Sequence, residues 1–174
     1  MNYITQQYFQ SPYGELILGS YDGCLCLCDW RYRDRRAMVD RRLMQGLCAE
    51  YRQGDDDILQ AAIQQLHEYF AGQRQQFDLP ILLVGTPFQK TVWQALMQIP
   101  FGETLSYLQL AKNIDNVKAV RAVANANGAN AMSIMIPCHR IIGSDGQLVG
   151  YAGGTEAKQA LLSLEQKAND ALNK

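Results

Sequence analysis

Residues 86–128 read TPFQKTVWQALMQIPFGETLSYLQLAKNIDNVKAVRAVANANG, and this stretch decides the fold of the second half of the chain. TPFQ at 86–89 and SYLQ at 106–109 are capping boxes, in which Thr or Ser begins a helix and a Gln three residues later completes the cap. The second box predicts a short helix to about Asn113, and the small side chains of residues 117–127 predict another helix after a polar turn. Two short helices joined by a tight turn are typical of a helix-turn-helix.

The first third of the chain predicts β-structure. YITQQYF and ELILGSY lie on either side of the turn signal at residues 11–14, and Asp22-Gly23 predicts a hairpin into CLCLCDW. Residues 32–42 are rich in both charge signs and are interpreted as an exposed connection or an irregular helix. We therefore expect an antiparallel sheet at the start of the chain.

Residues 58–70 have apolar side chains at helical spacing, with three aspartates before them and Gly72 after them, so a helix is predicted. FDLPILLV, residues 77–84, predicts a strand or the crossing into the second half. The change of pattern near Gly85 predicts two domains, 1–84 and 85–174, in an α+β fold.

Composition excludes little beyond a membrane span. The 174 residues are 48% hydrophobic, carry a net charge of −1, and contain no run of about 18 apolar residues. Residues 1–84 carry −3 and residues 85–174 carry +2, a weak asymmetry that points only to the half in which a polyanion would bind. The N-terminus has no secretory signal, so a cytoplasmic protein is expected.

Five cysteines, an odd number, favour reduced thiols over a disulfide framework. Cys24, Cys26 and Cys28 alternate, which in a strand places them on one face, and packing is the favoured interpretation. A metal site there would need Cys48, His67 or a carboxylate as a fourth ligand, and the paired Cys-x-x-Cys spacing of zinc sites is absent from the sequence.

The most informative segment is ANGANAMSIMIPCHRIIGSDGQLVGYAGG, residues 126–154. Cys138 follows an apolar run and a proline and precedes His139 and Arg140, which could lower its pKa and make it a nucleophile. Cys-His spacing alone leaves an inert buried cysteine as the more common alternative. Asp145-Gly146 predicts a turn, and the glycines from Gly150 onward allow close approach of the backbone.

The motif PCHR at 137–140, with Asn130 before it and YAGG at 151–154 after it, resembles the O6-alkylguanine-DNA alkyltransferases, or methylated-DNA–protein-cysteine methyltransferases. The likeness extends from TPFQKTVWQAL through IPFGETLSY and KAVRAV to LLSLE, and the first half matches loosely. It implies a ribonuclease-H-like N-terminal domain, and a mainly helical, winged-helix-like C-terminal domain for DNA binding and alkyl transfer.

The resemblance implies a role for each site residue. Cys138 accepts the alkyl group from O6-alkylguanine, and from O4-alkylthymine as a second substrate, irreversibly and once per molecule. His139 acts through water as the base, and Glu165 orients it. Tyr107 donates a proton to the guanine ring, and Asn130 is the hinge between the recognition helix and an active-site strand. The substrate pocket is formed by Pro137, Tyr151, Ala152, Gly153 and Gly154.

The resemblance also implies a DNA interface, because the reacting carbon lies inside the base stack and the nucleotide must be flipped out. Arg121 fills the vacated space while its helix lies in the minor groove. The DNA-binding residues are Arg121, Ala122, Ala126, Asn127, Gly128, Tyr107 and Arg140. Double-stranded DNA with O6-alkylguanine is the expected partner of a monomer that needs neither cofactor nor metal.

Three alternatives make different predictions. A non-reactive lesion-binding relative lacks the cysteine that stands at 138 here. A helix-turn-helix transcription factor predicts a basic recognition helix with base-reading polar side chains, whereas VKAVRAVANAN is mostly Ala and Val. A Cys-His hydrolase leaves Arg121 and the small-residue helix without a function.

Overall fold

The computed structural model describes residues 1–173. Contacts between Cα atoms divide them into two compact units, Met1–Gly85 and a second unit that begins at Thr86. No helix among the described residues is long and apolar enough to cross a membrane.

The first unit contains a four-stranded sheet. The strands are β1 (Asn2–Ser11), β2 (Gly14–Tyr21), β3 (Cys24–Trp30) and β4 (Ala49–Gln53), in the spatial order β3-β2-β1-β4. The predicted Asp22-Gly23 hairpin is confirmed, since both residues have the positive φ angles, 50° and 76°, that a tight hairpin turn requires.

The sheet is mixed, where the sequence predicts an antiparallel one. β1, β2 and β3 pair antiparallel, but β4 runs parallel to β1. The difference arises because residues 36–47 form a regular helix, α1 (Arg36–Leu47), that carries the chain back before β4 begins. Only Val39 and Leu43 of α1 are buried, which explains why the apolar pattern left an exposed connection and an irregular helix as alternatives.

The helix predicted at 58–70 is confirmed as α2 (Asp57–Phe70), and the Asp56 carboxylate caps it by accepting the Leu59 N–H at 2.8 Å. Residues 77–84 form a single parallel bridge, Leu25 to Ile81, in place of a full strand.

Cys26 and Cys28 are buried in the sheet, and Cys24 is partly exposed. Burial raises the pKa of Cys26 to about 12 and raises that of Cys28 further, so both remain neutral and pack as small apolar side chains. No cluster of three metal-ligating side chains occurs among residues 1–173.

The second unit is mainly helical. Its helices are α3 (Pro87–Leu96), α4 (Tyr107–Asn113), α5 (Val120–Gly128) and α6 (Thr155–Leu172), with a short parallel pair of strands, β5 (Leu105–Ser106) and β6 (Ile141–Ile142). Both capping boxes are confirmed. The third predicted helix begins later than expected, because Val117–Ala119 form a 3-10 turn before α5.

Candidate active site

Cys138 lies at the start of a single 3-10 turn, Cys138–Arg140. The sequence predicts an active-site strand here, and that prediction is wrong: residues 133 and 136 form only an isolated bridge before the turn. The tight turn matters because it removes the alternation of a strand, in which neighbouring side chains point to opposite faces. Cys138 is 4% exposed and His139 is 0% exposed, so both side chains are in the interior of the unit.

Asn130 braces the segment that leads to Cys138. Its amide oxygen accepts the Met132 N–H at 2.9 Å, and its amide nitrogen donates to the Ile136 carbonyl at 2.9 Å. Asn130 lies two residues after the end of α5 and is 1% exposed. The side chain therefore connects the helix end to the residues before the turn.

Glu165 on α6 is the centre of a buried polar network. Its carboxylate contacts the His139 Nε2 atom at 2.7 Å, and it accepts hydrogen bonds from Arg140 Nε at 2.8 Å and from the Arg140 guanidinium tip at 3.1 Å. Arg140 also donates to the Ile99 carbonyl at 2.7 Å. Charged hydrogen bonds of this length are strong where water is excluded.

The environment shifts both pKa values in this network. Burial would raise the pKa of Glu165, but His139 and Arg140 outweigh it and hold that pKa well below its usual range. Burial lowers the pKa of His139, and the attraction of Glu165 only partly offsets this. His139 is therefore neutral near pH 7, and Glu165 remains ionised beside Arg140.

The second nitrogen of His139 is the notable atom of the site. Nε2 is directed to Glu165, and Nδ1 has no hydrogen-bond partner among residues 1–173 although it is buried. An imidazole that donates Nε2–H to a carboxylate has its lone pair on Nδ1 and can accept a proton there. The arrangement has the thiol, base and carboxylate of a nucleophilic site.

Tyr107, the first residue of α4, contacts the same region. Burial, followed by the charge of Cys138, raises the pKa of its phenol, so the hydroxyl keeps its proton. The side-chain amide of Asn127 on α5 donates to the Tyr107 oxygen at 3.5 Å. With that oxygen accepting from Asn127, the Tyr107 proton is available to another acceptor.

The loop after the turn carries the predicted pocket residues. Asp145-Gly146 forms the predicted turn: Gly146 has a φ of 82° and donates to the Gly143 carbonyl at 2.9 Å. The Tyr151 ring lies 6.4 Å from the His139 ring, edge to face. Ala152 and Gly153 are partly exposed, and Gly154, with a φ of 89°, directly precedes α6.

The helix-turn-helix is formed by α4 and α5. The Trp93 indole on α3 donates to the Ala126 carbonyl at 2.8 Å and so fixes α5 against α3. The exposed residues of α5 are Arg121, Ala122, Asn125 and Gly128, whereas Ala126 and Asn127 are buried. The exposed face thus presents one arginine among small side chains.

Family profiles match both units. Residues 4–83 match the 6-O-methylguanine DNA methyltransferase ribonuclease-like domain, and residues 87–167 match the DNA binding domain of the same family. The chain belongs to the 6-O-methylguanine DNA methyltransferase family. The predicted α+β fold, with a ribonuclease-like part before a helical DNA-binding part, is confirmed.

Relatives in the methyltransferase family match over nearly their whole length. A methylated-DNA–protein-cysteine methyltransferase of Methanosarcina acetivorans is 40% identical over 90% of this chain and 95% of its own. The constitutive enzyme of Bacillus subtilis is 42% identical over 95% and 96%. The crystal structure of the Mycobacterium tuberculosis O6-methylguanine methyltransferase has a TM-score of 0.80, 37% identity and coverage of 95% and 94%, and that protein has also been solved in complex with DNA.

The structure places some predicted site residues elsewhere and adds one that the sequence did not predict. Arg140 was predicted to bind DNA, but it is 6% exposed and its guanidinium is bonded to Glu165 and Ile99, so it holds the network instead. Ala126 and Asn127 were predicted at the DNA surface, but both are buried, and the Asn127 amide is bonded to Tyr107. Lys158 was not predicted at all, although it lies on the same α6 face as Glu165, seven residues earlier.

Proposed function

We propose that this protein repairs DNA by moving the alkyl group of O6-alkylguanine onto Cys138, with O4-alkylthymine as a second substrate. The observation that carries this proposal is the arrangement around His139: a buried imidazole bonded to Glu165 through Nε2, with Nδ1 unpartnered among the described residues, next to the buried Cys138. The family membership supplies the reaction class.

The reaction uses Cys138, His139 and Tyr107 one after another, and Glu165 supports His139. The Cys138 thiol gives its proton to His139 Nδ1 through a water molecule, and the thiolate sulfur attacks the alkyl carbon. A carbon–sulfur bond forms as the carbon–oxygen bond breaks, and the bonding electrons pass to the guanine ring. Tyr107 donates its proton to that ring, which makes guanine a better leaving group. Glu165 keeps the imidazole in the tautomer that accepts at Nδ1 and stabilises the imidazolium that forms.

The product explains why no cofactor is required by this reaction. The thiol is itself the acceptor, and a thioether is not reversed by the same site, so each molecule reacts once. One chain per lesion is enough, which is consistent with a monomer. A nucleophilic thiol also needs a reducing compartment to remain reduced, which supports the cytoplasm as the location.

The exposed face of α5 is the proposed DNA interface. Its small side chains allow the helix to approach the floor of the minor groove, and Arg121 is the one long side chain on it that can enter the space left by the flipped base. Minor-groove readout is degenerate, which suits a protein that must find damage in any sequence. Tyr151 and the residues that follow it, up to Gly154, line the pocket for the flipped base.

Intact-protein mass spectrometry tests the reaction. After mixing with duplex DNA that contains one O6-methylguanine, the protein is expected to gain a single methyl group on the peptide that contains Cys138. Cys138→Ala should bind the same DNA without any gain, and Cys48→Ala, which removes the exposed thiol, should gain the methyl group as the unmodified protein does. Tight binding with no gain would support the lesion-binding alternative, and a gain on Cys48 or on a β3 cysteine would mean that Cys138 is not the acceptor.

A pair of substrates tests Arg121. Arg121→Ala should slow transfer from duplex DNA at least tenfold while leaving transfer from free O6-benzylguanine within twofold, because only the duplex requires flipping. Lys118→Ala, which removes an exposed positive charge nearby, is the matched control and should weaken duplex binding mainly through its salt dependence. Equal losses of Arg121→Ala on both substrates would exclude a role in flipping.

A further inference from the structure

Lys158 has an unusual position for a lysine. It lies in the first turns of α6 and is 0% exposed. Its ammonium donates to two backbone carbonyls, that of Ile141 and that of Val149, the latter at 3.2 Å. Lysine is almost never fully buried without a carboxylate partner, because removing an ammonium from water costs several kcal/mol.

The two acceptors of Lys158 are at the two ends of one segment. Ile141 directly follows the turn that contains Cys138, and Val149 lies two residues before Tyr151. Between them the chain makes the Gly143–Gly146 turn and the hydrogen bond from Gly143 N–H to the Gln147 carbonyl, 2.8 Å long. Lys158 therefore joins the base of the loop that carries Tyr151 to the end of the turn that carries the thiol.

The buried charges near Cys138 leave Lys158 without a counter-ion in the resting protein. Arg140 and Glu165 neutralise each other, His139 is neutral because its pKa is lowered, and Tyr107 keeps its proton because its pKa is raised. Among residues 1–173 no carboxylate forms an ion pair with Lys158. The site therefore has one more positive charge than negative charge until another anion forms.

The Lys158 ammonium is held close to the turn that carries the thiol. The carbonyl that accepts from it belongs to Ile141, which directly follows the 3-10 turn that begins at Cys138. Burial lowers the pKa of Lys158, and the charge of Cys138 partly offsets this by raising it.

We propose that Lys158 is a positioning residue of the alkyl transfer: its ammonium group joins both ends of the 141–149 loop and is the counter-charge of the Cys138 thiolate. The proposal rests on the proposed function for its biological meaning. Its central claim, that Lys158 stabilises the thiolate, holds or fails without any DNA. The negative charge of Glu165 destabilises the thiolate, and the positive charge of Arg140 stabilises it. Because these two charges are paired and offset each other, the net positive charge of the site comes from Lys158.

The test is the pH dependence of Cys138 alkylation by iodoacetamide, followed by peptide mass mapping, with Cys48 as the internal control in the same samples. An opposite charge within about 4–6 Å of an acidic group lowers the pKa of that group by about one unit or more. Lys158→Met and Lys158→Gln should therefore raise the thiol pKa by about one unit, and the rate at pH 7 should fall about tenfold and recover at pH 9. Gln is included because it can still donate to a carbonyl while it lacks the charge.

Two further variants complete the design. Lys158→Arg keeps the charge and should keep the thiol pKa within about 0.3 unit of the unmodified protein, and Lys167→Met, an exposed lysine on the same helix, should change nothing. If Lys158→Gln is folded and slow at every pH with an unchanged thiol pKa, Lys158 only holds the loop and the proposal is overturned. If the thiol pKa shifts as stated but the unmodified protein takes no methyl group from DNA, the proposed function fails and the Lys158 assignment stands.

Discussion

Replacing Glu165 by Gln should destabilise the second unit far more than a single lost hydrogen bond would. One carboxylate oxygen receives both His139 Nε2 and the tip of Arg140, and the other receives Arg140 Nε. A glutamine amide has one NH2 group in place of an oxygen, so either orientation places it against a donor. Arg140 would keep only uncharged acceptors, the Ile99 carbonyl and the one amide oxygen of the glutamine.

The magnitude follows from the loss of the negative charge. Removing one partner of a buried ion pair costs about 3–5 kcal/mol, because the remaining charge is left uncompensated. In a protein of this size 1 kcal/mol corresponds to about 2–4 °C in Tm, so a fall of roughly 10 °C is expected. Glu156→Gln, on the exposed first turn of the same helix, is the matched control and should cost less than about 1 kcal/mol.

Urea unfolding followed by tryptophan fluorescence measures this difference. The chain has two tryptophans, Trp30 in the first unit and Trp93 in the second, so both variants are made in a Trp30→Phe background and Trp93 alone reports. The reasoning would be refuted if Glu165→Gln lowered the free energy of unfolding by no more than Glu156→Gln does. Alkyl transfer by a folded Glu165→Gln protein should also be slower, because the tautomer of His139 is no longer fixed.

Three further outcomes are expected. Burial lowers the pKa of His139 below its usual 6.5, so as the pH falls the imidazole is protonated in the unfolded chain before it is protonated in the folded protein. The free energy of unfolding should therefore fall as the pH drops below 6.5. His139→Gln should reduce that slope in urea titrations at pH 7.5 and 5.5, while His67→Gln, on exposed α2 surface, should retain it. Asn130→Ala leaves the buried Met132 N–H and Ile136 carbonyl without this partner and should lower the free energy of unfolding by about 2–4 kcal/mol in the same titration. A loss below about 1 kcal/mol would show that the Asn130 hydrogen bonds do not stabilise this segment. Asn127→Leu should slow alkyl transfer severalfold in the unmodified background and have no effect in Tyr107→Phe; equal effects in both would show that Asn127 does not act through the phenol.

The sequence was sufficient wherever a structure depends on neighbouring residues. The Asp-Gly hairpin, both capping boxes, the aspartate-capped α2 and the turn at Asp145-Gly146 were all predicted, because each is determined by side chains within about four positions of one another. For residues 32–42 the sequence left an exposed connection and an irregular helix as alternatives, because α1 buries few apolar side chains. The ion pairs of buried Asp29 with Arg33 and Arg36 at the start of this helix produce no apolar periodicity.

By itself, then, the sequence determined the reactive motif PCHR, the helix-turn-helix and the family. The tertiary structure decided which buried groups face each other. Glu165 is 25 or more residues away from His139 and Arg140, and only the packing of α6 against the turn brings its carboxylate to both of them. The same packing removes Arg140 from the surface and buries Lys158 against the Ile141 carbonyl, because an ionised side chain in the interior is positioned by partners that lie far away in the chain.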